Sequence, residues 1–308
     1  MTYLIALESE IIGHRPFHRR AMPPAASSLL RHLSHNSTPY RDPLTSLDWD
    51  ALDTRDYWLP PQAVSICGLP EFATLNEAVK RRLSQYEFIN VMLCGLWLER
   101  VFIVRLGNAL AGGMDAAERS WLLHEIREEA GHSLMFLRLI ETSALPLPER
   151  TWRGPWLADA CARRLPATGP LFWLAAAIGE DIPDKFNRYV RQHGGEVNPV
   201  IHQACTLHIV DEARHIAYAR EQLEIHLART GTLRRRWLAA ALDLLLRQFA
   251  LRFYFPPAEF YELAGLTRGM WWRRAARADP QRREFVRERM APTVRMLGQY
   301  GFRVGPFV

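Results

Sequence analysis

Apolar residues recur at the three-to-four-residue spacing of amphipathic α-helices along most of this chain. The first long helix is predicted to begin at Thr74, where Glu77 would complete a capping box, and to end near Gly112. The second is predicted to run from Asp115, an N-cap residue, to about Ser143. The pattern therefore predicts two consecutive long helices.

Two further long helices are predicted after 145–170, a stretch with prolines and tryptophans that is long enough to cross over the end of a bundle. The third helix contains Glu180 and then Pro183, which lacks a backbone N–H. A kink or bulge is expected there, unless the helix ends early. The fourth helix is predicted to start at Asn198 and to end near Gly231.

The three parts of the chain differ in their patterns. Residues 1–72 are rich in proline, serine, histidine and arginine, which predicts an irregular extension with short helices. Residues 73–231 contain the four long helices, and residues 232–308 are predicted to add helices at about 233–253 and 280–300 that cover the bundle or build a dimer interface. With 48% hydrophobic residues in a length of 308, the whole chain is expected to form one all-α domain.

One short motif occurs twice within the predicted helices, at positions 83 residues apart. The two copies are Glu129-x-x-His132 and Glu212-x-x-His215. Residues three apart share one face of a helix, so each copy places a carboxylate beside an imidazole. A single copy is commonly a solvated pair on a helix surface, whereas two copies in this arrangement indicate a metal site.

Two further acids, Glu99 and Glu180, lie among apolar residues of the first and third helices. A carboxylate on an apolar face is costly unless a partner compensates its charge. Taken alone, Glu99 could pair with Arg100 or Arg105, and Glu180 could be a helix-end acid beside Asp181. The chain order Glu, Glu-x-x-His, Glu, Glu-x-x-His instead matches the ferritin-like four-helix bundle, which holds a carboxylate-bridged pair of metal ions.

His208 precedes Glu212 by four residues and therefore lies on the same face of the fourth helix. We interpret it as a seventh ligand, with a buried core histidine as the alternative. Asp211 is predicted to accept the free ring N–H of a ligand histidine on the opposing helix, and Glu128 to do the same from the other repeat. Arg214 could complete this charge network.

The predicted metal is iron, bound as two ions per chain, with manganese or a mixed pair as the alternatives. Carboxylates with a few imidazoles suit hard or borderline ions, and no thiolate lies among the ligands to favour zinc or an iron–sulfur cluster. The predicted ligands are Glu99, Glu129, His132, Glu180, His208, Glu212 and His215.

Composition excludes several other functions. A net charge of +6, from 39 basic and 33 acidic residues, is too small and dispersed to indicate nucleic-acid binding. No signal peptide or membrane span is predicted. The cysteines Cys67, Cys94, Cys161 and Cys205 show no paired spacing, which is typical of reduced thiols in a cytoplasmic enzyme. No nucleotide-binding motif occurs, so electrons are expected from a separate donor.

The ligand order, together with Arg82-Leu83-Ser84 upstream, resembles the diiron arylamine N-oxygenases of the aureothin and chloramphenicol pathways. The resemblance covers about residues 55–260, and its most diagnostic element is His208. It implies that Glu99 and His132 serve one iron, that Glu180, His208 and His215 serve the other, and that Glu129 and Glu212 bridge the two.

The same resemblance implies a function in specialised-metabolite biosynthesis, including that of antibiotics. The family oxidises an aromatic amine with O2, through hydroxylamine and nitroso stages, to a nitro group, with a reductase or small-molecule reductant as partner. A homodimer is expected. Two alternatives remain open: a diiron carbon hydroxylase or desaturase, and a ferritin-like iron-handling protein without oxygenase activity. Pocket candidates are the aromatic residues Trp97, Trp173, Phe249 and Phe253, with ordinary core packing as the alternative. A substrate with a carboxylate would need an arginine in the pocket, and the sequence does not choose among candidates that include Arg252, Arg268 and Arg295.

Overall fold

The computed structural model describes residues 24–152 and 164–308, together with Asp159 and Ala162. These residues form helices and connecting segments without any β-strand, which confirms the predicted all-α fold. The α-helices are α1 Pro24–Ser37, α2 Pro43–Ser46, α3 Pro70–Thr74, α4 Glu77–Ala109, α5 Ala116–Ser143, α6 Pro170–Gln192, α7 Pro199–Ala228, α8 Thr232–Phe253, α9 Ala258–Leu263, α10 Gly269–Ala278 and α11 Pro280–Gln299.

Helices α4, α5, α6 and α7 are the four long helices of the bundle. The most extensive packing joins α6 to α7 and α4 to α5, and α5 also contacts α7. Apolar residues from all four helices belong to one continuous buried core. None of the described helices is both long and apolar enough to cross a membrane.

The start of α4 differs from the sequence prediction. Asn76, not Thr74, is the N-cap, and its side chain accepts a hydrogen bond of 2.8 Å from the N–H of Ala78. Thr74 ends the preceding short helix α3, where its hydroxyl donates to the carbonyl of Glu71. The capping box predicted with Glu77 is therefore wrong. Pro70 begins the separate short helix α3, and Thr74 is its last residue, so Thr74 does not cap α4.

The starts of the two helices that carry the repeated motif are as predicted. Asp115 caps α5 by accepting from the N–H of Glu118 at 2.9 Å. Asn198 caps α7 by accepting from the N–H of Val200 at 2.9 Å. The amide of Asn198 also donates to the carbonyl of Ala51, so the cap ties the amino-terminal extension to α7.

Helix α6 continues through Pro183 to Gln192, so the alternative of an early helix end is wrong. Neighbouring helices hold this segment by buried polar contacts. The carboxylate of Asp181 is fully buried. It accepts a hydrogen bond of 2.7 Å from Arg220 on α7 and one of 2.6 Å from the hydroxyl of Thr293 on α11. The carboxy-terminal helix is thereby fastened to the bundle beside Glu180.

The segments outside the bundle cover it. Helices α1 and α2 pack on α5, and Gly131 of α5 makes room for the extension, because a β-carbon there would lie 2.3 Å from the hydroxyl oxygen of Tyr40. Helices α8 and α11 pack on α6, as expected of additional helices, while α9 and α10 were not predicted. Residues 1–23 of the extension, most of 153–163 in the crossover and Cys161 lie outside the described residues.

Candidate metal centre

The four bundle helices bring the predicted ligands together in the core. Each of these seven side chains is at most 5% exposed. Helix α4 contributes Glu99, α5 contributes Glu129 and His132, α6 contributes Glu180, and α7 contributes His208, Glu212 and His215. Ionisable side chains therefore occupy the centre of a bundle whose core is otherwise largely apolar.

The two repeated motifs face each other across the site. The Nδ1 atom of His132 lies 3.5 Å from Glu129 Oε2 and 3.4 Å from Glu212 Oε1. The Nδ1 atom of His215 lies 3.2 Å from Glu129 Oε1 and 3.8 Å from Glu212 Oε2. Each glutamate thus lies against both histidines with a different oxygen towards each, which is the geometry that a bridging carboxylate needs.

Carboxylates on the opposite helix hold the outer nitrogens of these two histidines. His132 Nε2 lies 3.3 Å from Asp211 Oδ2, and His215 Nε2 lies 3.0 Å from Glu128 Oε2. Arg214 joins the two acids, at 2.9 Å from Glu128 Oε1 and 2.5 Å from Asp211 Oδ1. The acid that precedes each motif therefore orients the histidine of the other motif, as predicted, and leaves its Nδ1 free to bind a metal.

His208 enters the same site with its Nε2 atom, 3.4 Å from Glu212 Oε1 and 3.7 Å from Glu99 Oε1. Its Nδ1 atom lies 3.1 Å from the amide of Asn187 on α6. The rings of His208 and His132 are 4.3 Å apart. The structure thus brings His208 together with Glu99 and His132, and the place of His208 beside His215 that the resemblance implied stays a prediction.

The buried polar atoms at the centre fit a cation. Both carboxylate oxygens of Glu129 and of Glu212, together with His132 Nδ1, His208 Nε2 and His215 Nδ1, are buried without a hydrogen-bond partner. Buried polar atoms are normally paired, and leaving them unpaired costs about 1–3 kcal/mol each. An ion bound to these oxygen and nitrogen atoms would satisfy them together, and such a donor set suits iron or manganese.

The carboxylates of the site differ in their charge states. Burial raises the pKa of Glu99 and of Glu180, and the charges of Glu129 and Glu212 respectively raise each further. Burial alone would also raise the pKa of Glu129, but the positive charge of His215 and the polar contacts with Glu99 and His132 together outweigh it and hold this pKa well below the ordinary value. The two acids that contact both histidines are therefore the ones that stay ionised.

The histidines also differ. Burial would lower the pKa of His132, but its hydrogen bond with Asp211 and the contacts and charges of Glu129 and Glu212 together outweigh this and raise the pKa to about 9. Burial lowers the pKa of His208 to about 4, since its neutral partner Asn187 gives no such compensation. His208 is therefore neutral at physiological pH, the state in which an imidazole can bind a metal.

A small cavity adjoins Glu99, Glu180 and His208. Apolar side chains form its other walls, and Asn187 also contributes to it; the apolar lining includes Met92, Leu98, Phe102, Phe136 and Phe253. Its free volume of about 20 Å³ holds roughly one water molecule, so a larger molecule requires wall side chains to rotate.

Of the proposed pocket residues, only Phe253 lines this cavity. Trp173 instead packs edge-on against Tyr218, and the ring of Phe249 lies tilted against that of Phe253, 5.3 Å away. None of the arginines suggested for a substrate carboxylate belongs to the described lining.

Two buried polar residues near the site were not singled out from the sequence. Asn187 lies seven residues after Glu180, two turns along the same face of α6, and this spacing could have revealed it. Glu125 lies one turn before Glu129 on α5; burial raises its pKa to about 8, and its Oε2 has no hydrogen-bond partner. The sequence does not distinguish Glu125 from the ordinary solvated acids of an amphipathic helix, so no signal identified it.

This fold and site define a ferritin-like bundle protein with a centre for two metal ions held by carboxylates and histidines. The particular family follows from comparison of the sequence. The chain belongs to the p-aminobenzoate N-oxygenase AurF family, whose family model matches residues 20–301. The predicted family resemblance is thereby confirmed, and family and fold together indicate a diiron oxidase or oxygenase.

Individual proteins are more distantly similar. Uncharacterized proteins of Mycobacterium tuberculosis (strain CDC 1551 / Oshkosh) and Mycobacterium bovis (strain ATCC BAA-935 / AF2122/97) are each 25% identical over 230 residues, which cover 72% of this chain and 67% of the relative. Among solved structures, an R2-like ligand-binding oxidase with an aerobically reconstituted Mn/Fe cofactor superposes with a TM-score of 0.51, at 12% identity over 94% of this chain and 96% of the other. A point mutant of such an oxidase gives a TM-score of 0.53, at 13% identity over 92% and 99%. These structures support the fold.

Proposed function

We propose that this protein is an O2-dependent diiron N-oxygenase that oxidises an aromatic amine, through hydroxylamine and nitroso stages, to a nitro compound. The observation that carries the proposal is the third imidazole. His208 is buried, its Nε2 atom has no hydrogen-bond partner, and this atom points towards Glu99 and Glu212. Ligand sets built only from four carboxylates and two Glu-x-x-His histidines do not contain it.

The chain's own residues would hold two irons in named roles. Glu129 and Glu212 would bridge them, His132 and His215 would each bind one, and the remaining carboxylates and His208 would complete the set. Bound there, the irons would supply the reducing electrons and the coordination positions at which O2 is activated. Asp211 and Glu128 keep the ring N–H atoms on the outer side of the two histidines.

The cavity supplies the place for a substrate. It reaches the ligands on the side of Glu99, Glu180 and His208, while the outer side of the site is closed by Glu128, Asp211 and Arg214. A substrate would therefore approach the ligands through this apolar cavity and displace the side chains that narrow it. Its aryl ring would then lie against Phe102 and Phe136. An ionised carboxylate on that ring would be desolvated against hydrocarbon, so we propose a neutral aryl amine.

The test uses iron-loaded protein, a chemical reductant, ¹⁸O2 and aniline, with p-aminobenzoate for comparison. Mass spectrometry is expected to find ¹⁸O on the amine nitrogen, and more of it with aniline. Label on carbon of an added hydrocarbon would instead indicate the hydroxylase alternative. Accumulation of mineral iron, unaffected by organic compounds, would indicate iron handling.

The role of His208 is tested with two histidine variants of α7. With saturating Fe(II), where a weakened site still fills, His208→Ala is expected to lower amine oxidation by at least about tenfold while most iron remains bound. His202→Ala is the matched control, because His202 lies on the same helix but packs beside Gly194, away from the ligands. If His208→Ala is less stable but oxidises amine at the parent rate per iron-loaded molecule, His208 is a core histidine and the proposal loses its main support.

A further inference from the structure

A second cavity lies away from the metal centre, among the end of α8, helices α10 and α11, and residues 306–308. Its free volume is about 280 Å³, close to the lower end of the range for small-molecule sites, roughly 300 Å³. It has a basic part and an apolar part. The lining consists of Arg247, Leu251, Phe255, Arg277, Arg283, Pro306, Phe307 and Val308.

The basic part consists of three arginines from three different helices. Arg247 donates to the carbonyl of Pro306 at 3.3 Å, which holds the chain segment after α11 against α8. Within the described part of the chain, Arg277 and Arg283 have no carboxylate partner. These three arginines are exposed, and no acidic side chain belongs to the lining of the cavity, so their guanidinium groups can receive an anion from outside the chain.

More positive charge lies close by. Burial lowers the pKa of Arg273, and the neighbouring Arg277 and Arg252 lower it further. Arg273 therefore adds positive charge close to Arg277 of the cavity. Positive potential focused in a concave site raises the local concentration of anions.

The apolar part gives the cavity a second recognition element. Leu251 and the buried Phe255 form one wall, and Phe307 belongs to the segment that closes the other side. Ligand sites typically combine such an apolar lining with a few polar groups that fix orientation. We propose that this cavity binds a small organic anion, a phosphate or carboxylate carried on an aromatic or aliphatic body.

This site is separate from the proposed catalytic one. Phe253 lines the cavity at the metal ligands, whereas Leu251 and Phe255 line the arginine cavity, so the last turn of α8 lies between the two. The two cavities share no lining residue. Binding at the arginine cavity can consequently be measured whether or not the protein oxidises amines.

The test is calorimetric titration of the iron-loaded protein at about 0.15 M salt, where free surface charges are largely screened. Phenyl phosphate and phenylacetate are the probes. Inorganic phosphate, an anion without an apolar part, and benzyl alcohol, an aromatic compound without a charge, are the controls. One of the two probes is expected to bind saturably and at least about tenfold more tightly than either fragment. No saturable binding, or equal binding of inorganic phosphate, would overturn the proposal.

Paired variants locate the binding. The double change Arg277→Gln and Arg283→Gln is expected to weaken the probe by about tenfold or more, because two charge-assisted hydrogen-bond donors are lost. Arg234→Gln with Arg236→Gln removes the same charge from exposed positions at the other end of α8 and should leave affinity unchanged. If both double variants bind the probe like the parent, it binds elsewhere, at the metal centre included, and the arginine cavity is not the site.

Discussion

Asn187 offers the sharpest test of how the protein prepares His208 for metal binding. Its side chain is 5% exposed, lies 3.1 Å from His208 Nδ1, and contacts Cys205 Sγ at 3.7 Å with its other end. A metal on Nε2 leaves the ring proton on Nδ1, which then donates. The side-chain amide of Asn187 can accept this hydrogen bond if it turns over and places its oxygen against Nδ1. Such a turn exchanges the oxygen and the nitrogen of the amide, which are nearly equal in size. Asn187→Leu removes this acceptor with little change in volume.

The expected loss can be worked out from the contact. In the leucine variant, metal binding leaves the N–H of His208 buried without an acceptor, at a cost of about 1–3 kcal/mol. At about 1.4 kcal/mol per factor of ten, this corresponds to a loss of roughly 5- to 150-fold in the affinity for one of the two irons. That range agrees with the roughly 10- to 100-fold effects known for residues that orient metal ligands.

The assay is anaerobic Fe(II) titration in competition with a chelator, with melting temperature recorded on the same samples. Asn90→Leu is the matched control. Asn90 is similarly buried, at 7% exposed, but donates to the carbonyls of Arg252 and Phe253, so its loss should lower stability without weakening iron.

A carboxylate at this position supplies the decisive comparison. Asn187→Asp keeps an acceptor for the N–H of His208 and is expected to retain iron affinity near that of the parent. If Asn187→Leu binds both irons as tightly as the parent, or if the aspartate variant loses as much as the leucine variant, then Asn187 does not position His208. The unpartnered Nε2 atom of His208 would then not indicate a residue that the protein orients for metal binding.

Four further outcomes are expected. Glu129→Ala or Glu212→Ala should reduce iron from about two per chain to one or fewer in metal analysis, since each contacts both histidines; two retained irons would contradict the bridging roles. Stripping the metal with a chelator should lower the free energy of unfolding by about 4 kcal/mol relative to protein in iron at a thousand times Kd, and an unchanged melting temperature would contradict this. Asn198→Ala should cost about 1–2 kcal/mol in urea denaturation through loss of the α7 cap, and a change below a few tenths would show that the cap contributes little. Burial raises the pKa of Glu87 to about 7. The folded state therefore holds a proton there that the unfolded chain has lost, and stability should fall by roughly 3 kcal/mol as pH rises from about 4.5 to 7. Glu87→Gln should not show this part of the decline, and equal pH profiles for both proteins would refute it.

The long helices could be predicted because their signals are local. Asp115 and Asn198 act as caps through bonds to residues two or three positions away, and an N-cap followed by a helical pattern is visible in sequence. Thr74 misled the same reasoning because the choice between it and Asn76 depends on where the short helix α3 ends. Pro183 left two outcomes open, and contacts of Asp181 with α7 and α11, distant in sequence, hold the helix together there.

Most of the candidate site could be predicted because its residues repeat. Two Glu-x-x-His motifs with a preceding acid specify both the inner donors and their outer partners, including the crosswise contacts of Asp211 and Glu128. The contact between His208 and Asn187 could not be predicted, since it joins two helices and depends on how they pack, even though the spacing of Asn187 from Glu180 places both on one face of α6. The pocket was also beyond prediction, because an aromatic residue such as Trp173 shows the same helical spacing whether it faces the cavity or packs against Tyr218.

The crosswise contacts also explain why the two motifs constrain the packing of α5 against α7. Each motif contributes an inner glutamate to the centre and an outer acid to the other motif's histidine, so sliding one helix by a single residue would break both outer contacts together. Arg214 makes this arrangement tolerable without metal, since its one guanidinium lies between Glu128 and Asp211 and offsets charge on the outer side. The inner oxygens of Glu129 and Glu212 have no hydrogen-bond partner in the described chain, and the positive charges that face them are those of His132 and His215, whose pKa values are raised. An imidazole must give up its proton to bind a metal. The same register that favours the outer network therefore directs these oxygens and nitrogens at the centre, where a pair of cations would replace the two protons as the compensating charge.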